Sequence, residues 1–366
     1  MNVIIFFIIL LVLVIAHEFG HFFAAKKFGI RVDEFGFGFP PKIAGIKKGE
    51  TEYTFNALPF GGFVKIFGEN PDEDSLNGPD KDRSFVNKPR WKQAIVLFAG
   101  VFANFVVAWI LFSIGFISGL PTSVDSVKPG ENLTNVNLVV VSVAPNTPAE
   151  EGGLMSGDKL ISVKSGEHLL SPVNTDTMKK FIVAHENKEI DISYQRGNKE
   201  VLVDTKVVPK KIFPGGDPMI GISMDDIGIS KLSFFSSLAE GMKLTWNVTK
   251  GTVYGIYDLI RDAIVGKGSF ASVTGPVGMV GIVGDAYDFG FVYLLSFAAL
   301  ISINLAVINL VPFPALDGGR LFFLLIEKIK GSRISTNFAN IANTIGFAVL
   351  ILLMLVITYK DIVKLL

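Results

Sequence analysis

His17-Glu18-Phe19-Gly20-His21 contains two of the four histidines in the chain. On a helix, residues four apart project from one face, so both imidazoles can reach a single cation. Glu18 then stands one residue round, beside them rather than between them. This is the HExxH arrangement of zinc hydrolases. The flanking residues from Val3 to Ala25 are otherwise apolar. Two imidazoles and a carboxylate placed in hydrocarbon cost several kcal/mol unless something compensates, and a bound cation does so. The alternative is a pair of core histidines hydrogen-bonded to their neighbours.

A hydrolytic zinc site takes three protein ligands and keeps one position open for water. There are no cysteines, and His168 and His185 fall in a region that the charge pattern puts on the other side of the membrane. A carboxylate near the inner end of another span is therefore expected, and Asp317 fits. It follows Asn309, Pro312 and Pro314, residues that interrupt helical hydrogen bonding and are tolerated at membrane depth only against protein or a wet cavity. Gly318 and Gly319 allow a tight turn. Alternatively, Asp317 caps a helix beginning at Gly318. Glu18 is the candidate general base. Zinc lowers the pKa of its bound water to about 7, and a neighbouring carboxylate can take that proton and pass it to a leaving amine. The chemistry best served is hydrolysis of a peptide bond at membrane depth, in a locally unwound transmembrane segment of another protein.

The elements that must position these residues are membrane spans. Of 366 residues, 49% are hydrophobic and 19% charged, below the roughly 25% charged of a soluble domain. Lysine plus arginine and aspartate plus glutamate balance at 34 each, which removes the electrostatic case for nucleic-acid binding. Four segments are long enough to cross about 30 Å of hydrocarbon: 1–25 with HExxH, 94–120, 289–319 with its motif, and 341–359. The first has no basic leader and no small-residue cleavage site, so a cleaved signal is not expected. Basic residues cluster in 26–93 and 320–340, which places both loops in the cytoplasm, and 121–288 outside. Residues 121–212 read as a β-rich module with one helix near Asp176 to His185, ended by a turn at Phe213 to Gly216. Within 213–288, apolar residues from Phe235 to Ile264 recur at three- and four-residue steps, predicting an amphipathic helix that lies on the bilayer or packs on protein. In the cytoplasmic loop, Tyr53 to Leu58 and Phe63 to Phe67 flank Pro59-Phe60-Gly61-Gly62, predicting a β-hairpin near 53–67. Glu69 to Asp82 reads as a solvated, mobile loop. No internal repeat is visible.

HEFGH on a first span, Asn309-Leu-Val-Pro-Phe-Pro-Ala-Leu-Asp-Gly-Gly319 on a later one, and a module between the second and third spans resemble the site-2 protease family of intramembrane zinc metalloproteases, in its bacterial regulator of sigma-E protease branch. The resemblance covers nearly the whole chain. It implies a polytopic α-helical membrane protein with four transmembrane helices, an inserted β-rich PDZ-like domain and a membrane-associated cytoplasmic β-hairpin. It also implies residence in the bacterial inner membrane, with the PDZ-like domain extracytoplasmic and the active site near the cytoplasmic side. The expected cofactor is Zn²⁺, held by His17, His21 and Asp317 with Glu18 catalytic. Substrates would be single-span membrane proteins, such as a pre-trimmed anti-sigma factor or a remnant signal peptide.

The stretch from Val143 to Ile161 looks like part of a PDZ domain, implying a size filter or a dock for peptide or protein termini. Gly61, Gly62, Phe63 and Val64, with Lys65, match the family's hairpin, thought to add a strand edge to the substrate. Asn309 matches an asparagine linked to substrate handling. Gly100 and Asn104 match a small-xxx-polar pattern, read as close helix packing. Thr274 to Gly278 matches a segment of no evident role. Well-studied members carry two tandem PDZ domains, and the outer region here has room for one. Two other classes compete. A silent scaffold with a structural metal would not require Glu18, and a metal transporter should show ionisable residues along the second and fourth spans, where none occur.

Overall fold

The computed structural model describes residues 1–127, 133–197, 201–213, 215–266 and 273–365, apart from the side chains of 59, 60, 364 and 365. In chain order the elements are α1 (Asn2–Lys27), β1 (Val32–Lys48), β2 (Thr51–Ile66), α2 (Glu73–Asn77), α3 (Arg90–Ser118), β3 (Leu120–Ser123), β4 (Thr134–Val143), α4 (Pro148–Glu151), β5 (Lys159–Ser165), β6 (His168–Leu169) and α5 (Thr175–Ala184). They continue with β7 (Ile190–Gln195), β8 (Leu202–Val207), β9 (Ile222–Ser230), α6 (Phe234–Ile264), α7 (Pro276–Phe289), α8 (Phe291–Leu310), α9 (Asp317–Lys330) and α10 (Thr336–Leu365). The chain forms two compact units: Met1–Ser113 with Leu238–Val283 and Ser296–Leu366, and Ile114–Ser237 with Gly284–Leu295.

In the first unit, α1, α3, α8 and α10 are long and apolar enough to cross a bilayer. A 26-residue helix such as α1 rises about 39 Å, more than the hydrocarbon thickness. Lys26 and Lys27 close α1, where positive charge suits the helix C-terminus. The third span is shorter than the sequence suggested. It stops at Leu310, and a bent connection through 311–316 leads to a new helix at Asp317. Around the foot of α1, Ala24, Ala25, Ile30, Val32, Ile66, Phe85, Val96 and Leu97 form one buried cluster. A second cluster, of Ala108, Phe112, Ala299, Ile303 and Val307, receives Leu244, Val248 and Ile256 from α6. One face of α6 packs on α3 and α8, and Trp109 Nε1 donates to the Leu238 carbonyl at 2.8 Å.

The segment between α1 and α3 differs from the expected hairpin. The turn is at Gly49, in the left-handed region at φ +66, and β2 runs unbroken from Thr51 to Ile66. Residues 34–37 of β1 pair with 62–65 on one side and with 52–55 on the other. Pro59-Phe60-Gly61-Gly62 is thus strand rather than turn: Gly61, at φ +144, packs against Phe39 of β1, and a Cβ on Gly62 would strike the Gly36 carbonyl. Glu69 to Asp82 is ordered: Asp72 and Ser75 form a capping box on α2, Asp80 pairs with Arg31 at 2.6 Å and Glu69 pairs with Arg320.

In the second unit the strand order is β3-β9-β4-β5-β7-β8, with β6 paired to β5. Its core includes Leu138, Val140, Leu160, Val163, Met178, Ile190 and Ile192, and α5 starts on an Asn174–Thr177 capping box. The β-rich unit does not end at Phe213 to Gly216, of which Pro214 lies outside the described residues. Beyond that segment β9 enters the sheet between β3 and β4. Asp158, fully buried, is held by Arg196 at 2.7 and 2.8 Å and by the Met155 N–H at 2.8 Å. These hydrogen bonds raise the Arg196 guanidinium above its ordinary range.

Candidate metal centre and catalytic cavity

His17 and His21 lie on the buried face of α1 with their rings 4.7 Å apart, edge to face. Their Nε2 atoms are 3.1 Å from each other. Asp317 Oδ2 stands 3.0 Å from His17 Nε2 and 3.2 Å from His21 Nε2. Three donor atoms from residues 300 apart in sequence therefore make a near-equilateral triangle. Zinc at 2.0–2.2 Å from each ligand in tetrahedral geometry requires donor–donor separations of about 3.3 Å, so this triangle fits that ion. Among the described residues it is the one cluster of this kind.

His21 and Asp317 are each placed by a local device. His21 Nδ1 donates to the Val96 carbonyl at 2.8 Å, which leaves the Nε2 lone pair free for a cation. Gly100 permits the ring's position, since any Cβ there would strike the imidazole of His21. Close packing was the expectation for Gly100. Asp317 is aimed by the break after α8. Ala315 adopts φ +74, unusual for a residue with a Cβ, and its N–H donates to Asn343 Oδ1 of α10 at 3.1 Å. Gly318 and Gly319 lie so close to the backbone of Leu310, Val311 and Phe313 that a Cβ on either would collide. Asp317 is the first residue of α9, whose N-cap is Leu316 with no side-chain capping bond, so Asp317 does not cap the helix as the alternative reading expected.

The triangle forms part of the wall of a cavity of about 320 Å³. Glu18, Phe63, Val64 and Asn309 line it too, with Glu69 and Arg320 at another side. Gly62 comes against the Glu18 side chain. Residues 62–66 pair with β1 along one edge, and the other edge has no strand partner among the described residues. Nearly every residue expected in the site is thus gathered at one place. Gly61 sits just beyond, against Phe39 and Val14. The sequence reading missed Asn343, Glu69 and Arg320. Glu69 fell in a segment read as solvated loop, Arg320 in a loop read only for its charge, and no local pattern ties Asn343 to Ala315.

Residues 5–353 match the model of Peptidase family M50. A Clostridium perfringens protein named, provisionally, a zinc metalloprotease is 36% identical over 354 residues, covering 96% of this chain and 95% of that one. The regulator of sigma-W protease RasP of Bacillus subtilis is 30% identical over 440 residues, covering 100% and 99%. Zinc metalloprotease RasP of Shouchella clausii is 30% identical over 441, covering all of both chains.

Proposed function

The chain belongs to Peptidase family M50 and is a zinc metalloprotease, and from that premise we infer that it cleaves single-span membrane proteins inside their transmembrane segments. The observation that carries the reading is the shared cavity: three converging donor atoms, a carboxylate beside them and a strand edge with no strand partner among the described residues. His17, His21 and Asp317 would hold the ion, which when bound supplies Lewis acidity toward the scissile carbonyl and acidifies water. Glu18 takes the proton of the attacking water and delivers it to the leaving amide nitrogen. The free edge at Gly62 to Ile66 pairs with the substrate's backbone, a sequence-tolerant contact that holds it extended and exposes its amide. Asn309 borders the same space and helps to position that chain.

By the positive-inside pattern the cavity lies near the cytoplasmic side of a bacterial inner membrane, with 121–288 outside. We read the β-rich unit as PDZ-like. There β9 pairs with β4 along its length, but β3 covers only residues 227–230, which among the described residues leaves 222–226 without a second strand partner, open to a peptide end near α5, whose Thr175 N–H reaches Asp226 at 3.1 Å. The RasP alignments are longer than this chain, so those relatives carry segments absent here. A single-span protein already trimmed outside, such as an anti-sigma factor, suits such a dock.

The test is cleavage of a single-span substrate by protein reconstituted in vesicles. Glu18→Gln should lose about 10²–10⁴-fold in rate and keep its zinc. Cleavage that survives the substitution removes Glu18 from the base role, and zinc binding without any wild-type cleavage favours a scaffold.

A further inference from the structure

The two histidines are not held alike. His21 gives its Nδ1 proton to the Val96 carbonyl, an unambiguous acceptor. His17 Nδ1 faces the side-chain amide of Asn104, whose nitrogen stands 3.4 Å away, while Asn104 Oδ1 is buried with no partner. Asn104 is fully buried, and its backbone carbonyl is occupied separately by the Ser302 hydroxyl at 2.9 Å. An amide that donated to Nδ1 would require the His17 proton on Nε2, where it would block the atom directed at Asp317. Rotating the amide by half a turn exchanges nitrogen and oxygen in the same space. Nδ1–H then donates to Oδ1, Nε2 keeps its lone pair, and the NH₂ takes the position left by the oxygen on a residue that borders the cavity.

The geometry points to Asn104 as the positioning residue of His17: its side-chain oxygen accepts the Nδ1 proton and so selects the tautomer whose Nε2 binds zinc. This rests on His17 being a zinc ligand, as proposed above. It gives Asn104 a role beyond packing and divides the labour on α3, where Val96 and Asn104 each hold one imidazole.

The test is zinc affinity, measured by chelator competition on purified protein in detergent, with the visible spectrum of the cobalt-substituted protein as a second readout. Asn104→Leu, similar in volume and without an acceptor, should weaken zinc about 10–100-fold and alter the cobalt bands. Asn104→Asp keeps an oxygen at the position and should stay close to wild type. Ser302→Ala disturbs the same helix contact without touching the acceptor and should leave affinity unchanged. If Asn104→Leu does not fold, Asn104→Ala carries the same expectation. Equal zinc affinity in wild type and the folded Leu or Ala variant overturns the assignment, as does equal loss in Asp and Leu, or a loss in Ser302→Ala matching that in Leu. A wild-type protein that binds no zinc overturns the parent reading instead, so the two failures are distinguishable.

Discussion

Asp317 and Asp158 are both carboxylates withdrawn from water, and their surroundings differ in kind. Asp158 is closed: a guanidinium takes both oxygens and a backbone N–H adds a third bond, so donors meet acceptors and nothing further is wanted. Asp317 is open: one of its oxygens faces two imidazole nitrogens that also face each other. Three atoms able to offer lone pairs in one small space are mutually unfavourable until a cation sits among them. A buried charge that is satisfied within the protein is architecture, and one that converges with other lone pairs is a site.

The largest effect that sharpens this contrast is metal removal. A chelator should lower cleavage by at least about a thousandfold, since a metal contributes several kcal/mol to the transition state at about 1.4 kcal/mol per decade. Added zinc should restore it, and the proteolytic stability of 134–230 should not change; unfolding of that region on chelation would erase the distinction. Next, Arg196→Met leaves Asp158 buried with a single donor and should destabilise the β-rich unit by about 3 kcal/mol, the low end for a broken buried pair because Arg196 is partly exposed. Thermal unfolding reads this, and zinc stoichiometry should stay as in wild type; a variant that loses zinc would show the two carboxylates to be coupled. The smallest effect concerns aim. Asn343→Ala removes one hydrogen bond from the strained turn at Ala315, worth about 1 kcal/mol, so cleavage should fall about fivefold with zinc retained. An unchanged rate would show that Gly318 and Gly319 suffice to orient Asp317.

What could be read without coordinates followed from local chemistry. His17 and His21 announce their shared face through spacing alone, and polar residues in an apolar run demand compensation, which led to Asp317 by elimination. The four spans were visible in hydropathy, though their ends were not, because a helix continues through flanking polar residues such as Arg90 and Lys92. Turn chemistry misled where two signals competed. Pro59-Phe60-Gly61-Gly62 looks like a turn, but it continues β2, where a Cβ on Gly62 would strike the Gly36 carbonyl of β1, whereas the actual reversal rests on Gly49. The end of the β-rich unit was misplaced for a related reason: the Gly-rich segment at 213–216 connects strands of one sheet rather than closing it. Contacts such as Ala315 with Asn343, or Glu69 with Arg320, join residues with no common period and become visible only once the chain is folded.

The most direct test of the central claim is X-ray absorption at the zinc edge, with elemental analysis, on detergent-solubilised wild type and Asp317→Ala. One zinc per chain, coordinated by two imidazole nitrogens and oxygen at about 2.0–2.1 Å, with occupancy lost in Asp317→Ala, is the expected result. No stoichiometric zinc in the wild type, or an identical coordination shell in both proteins, would contradict it.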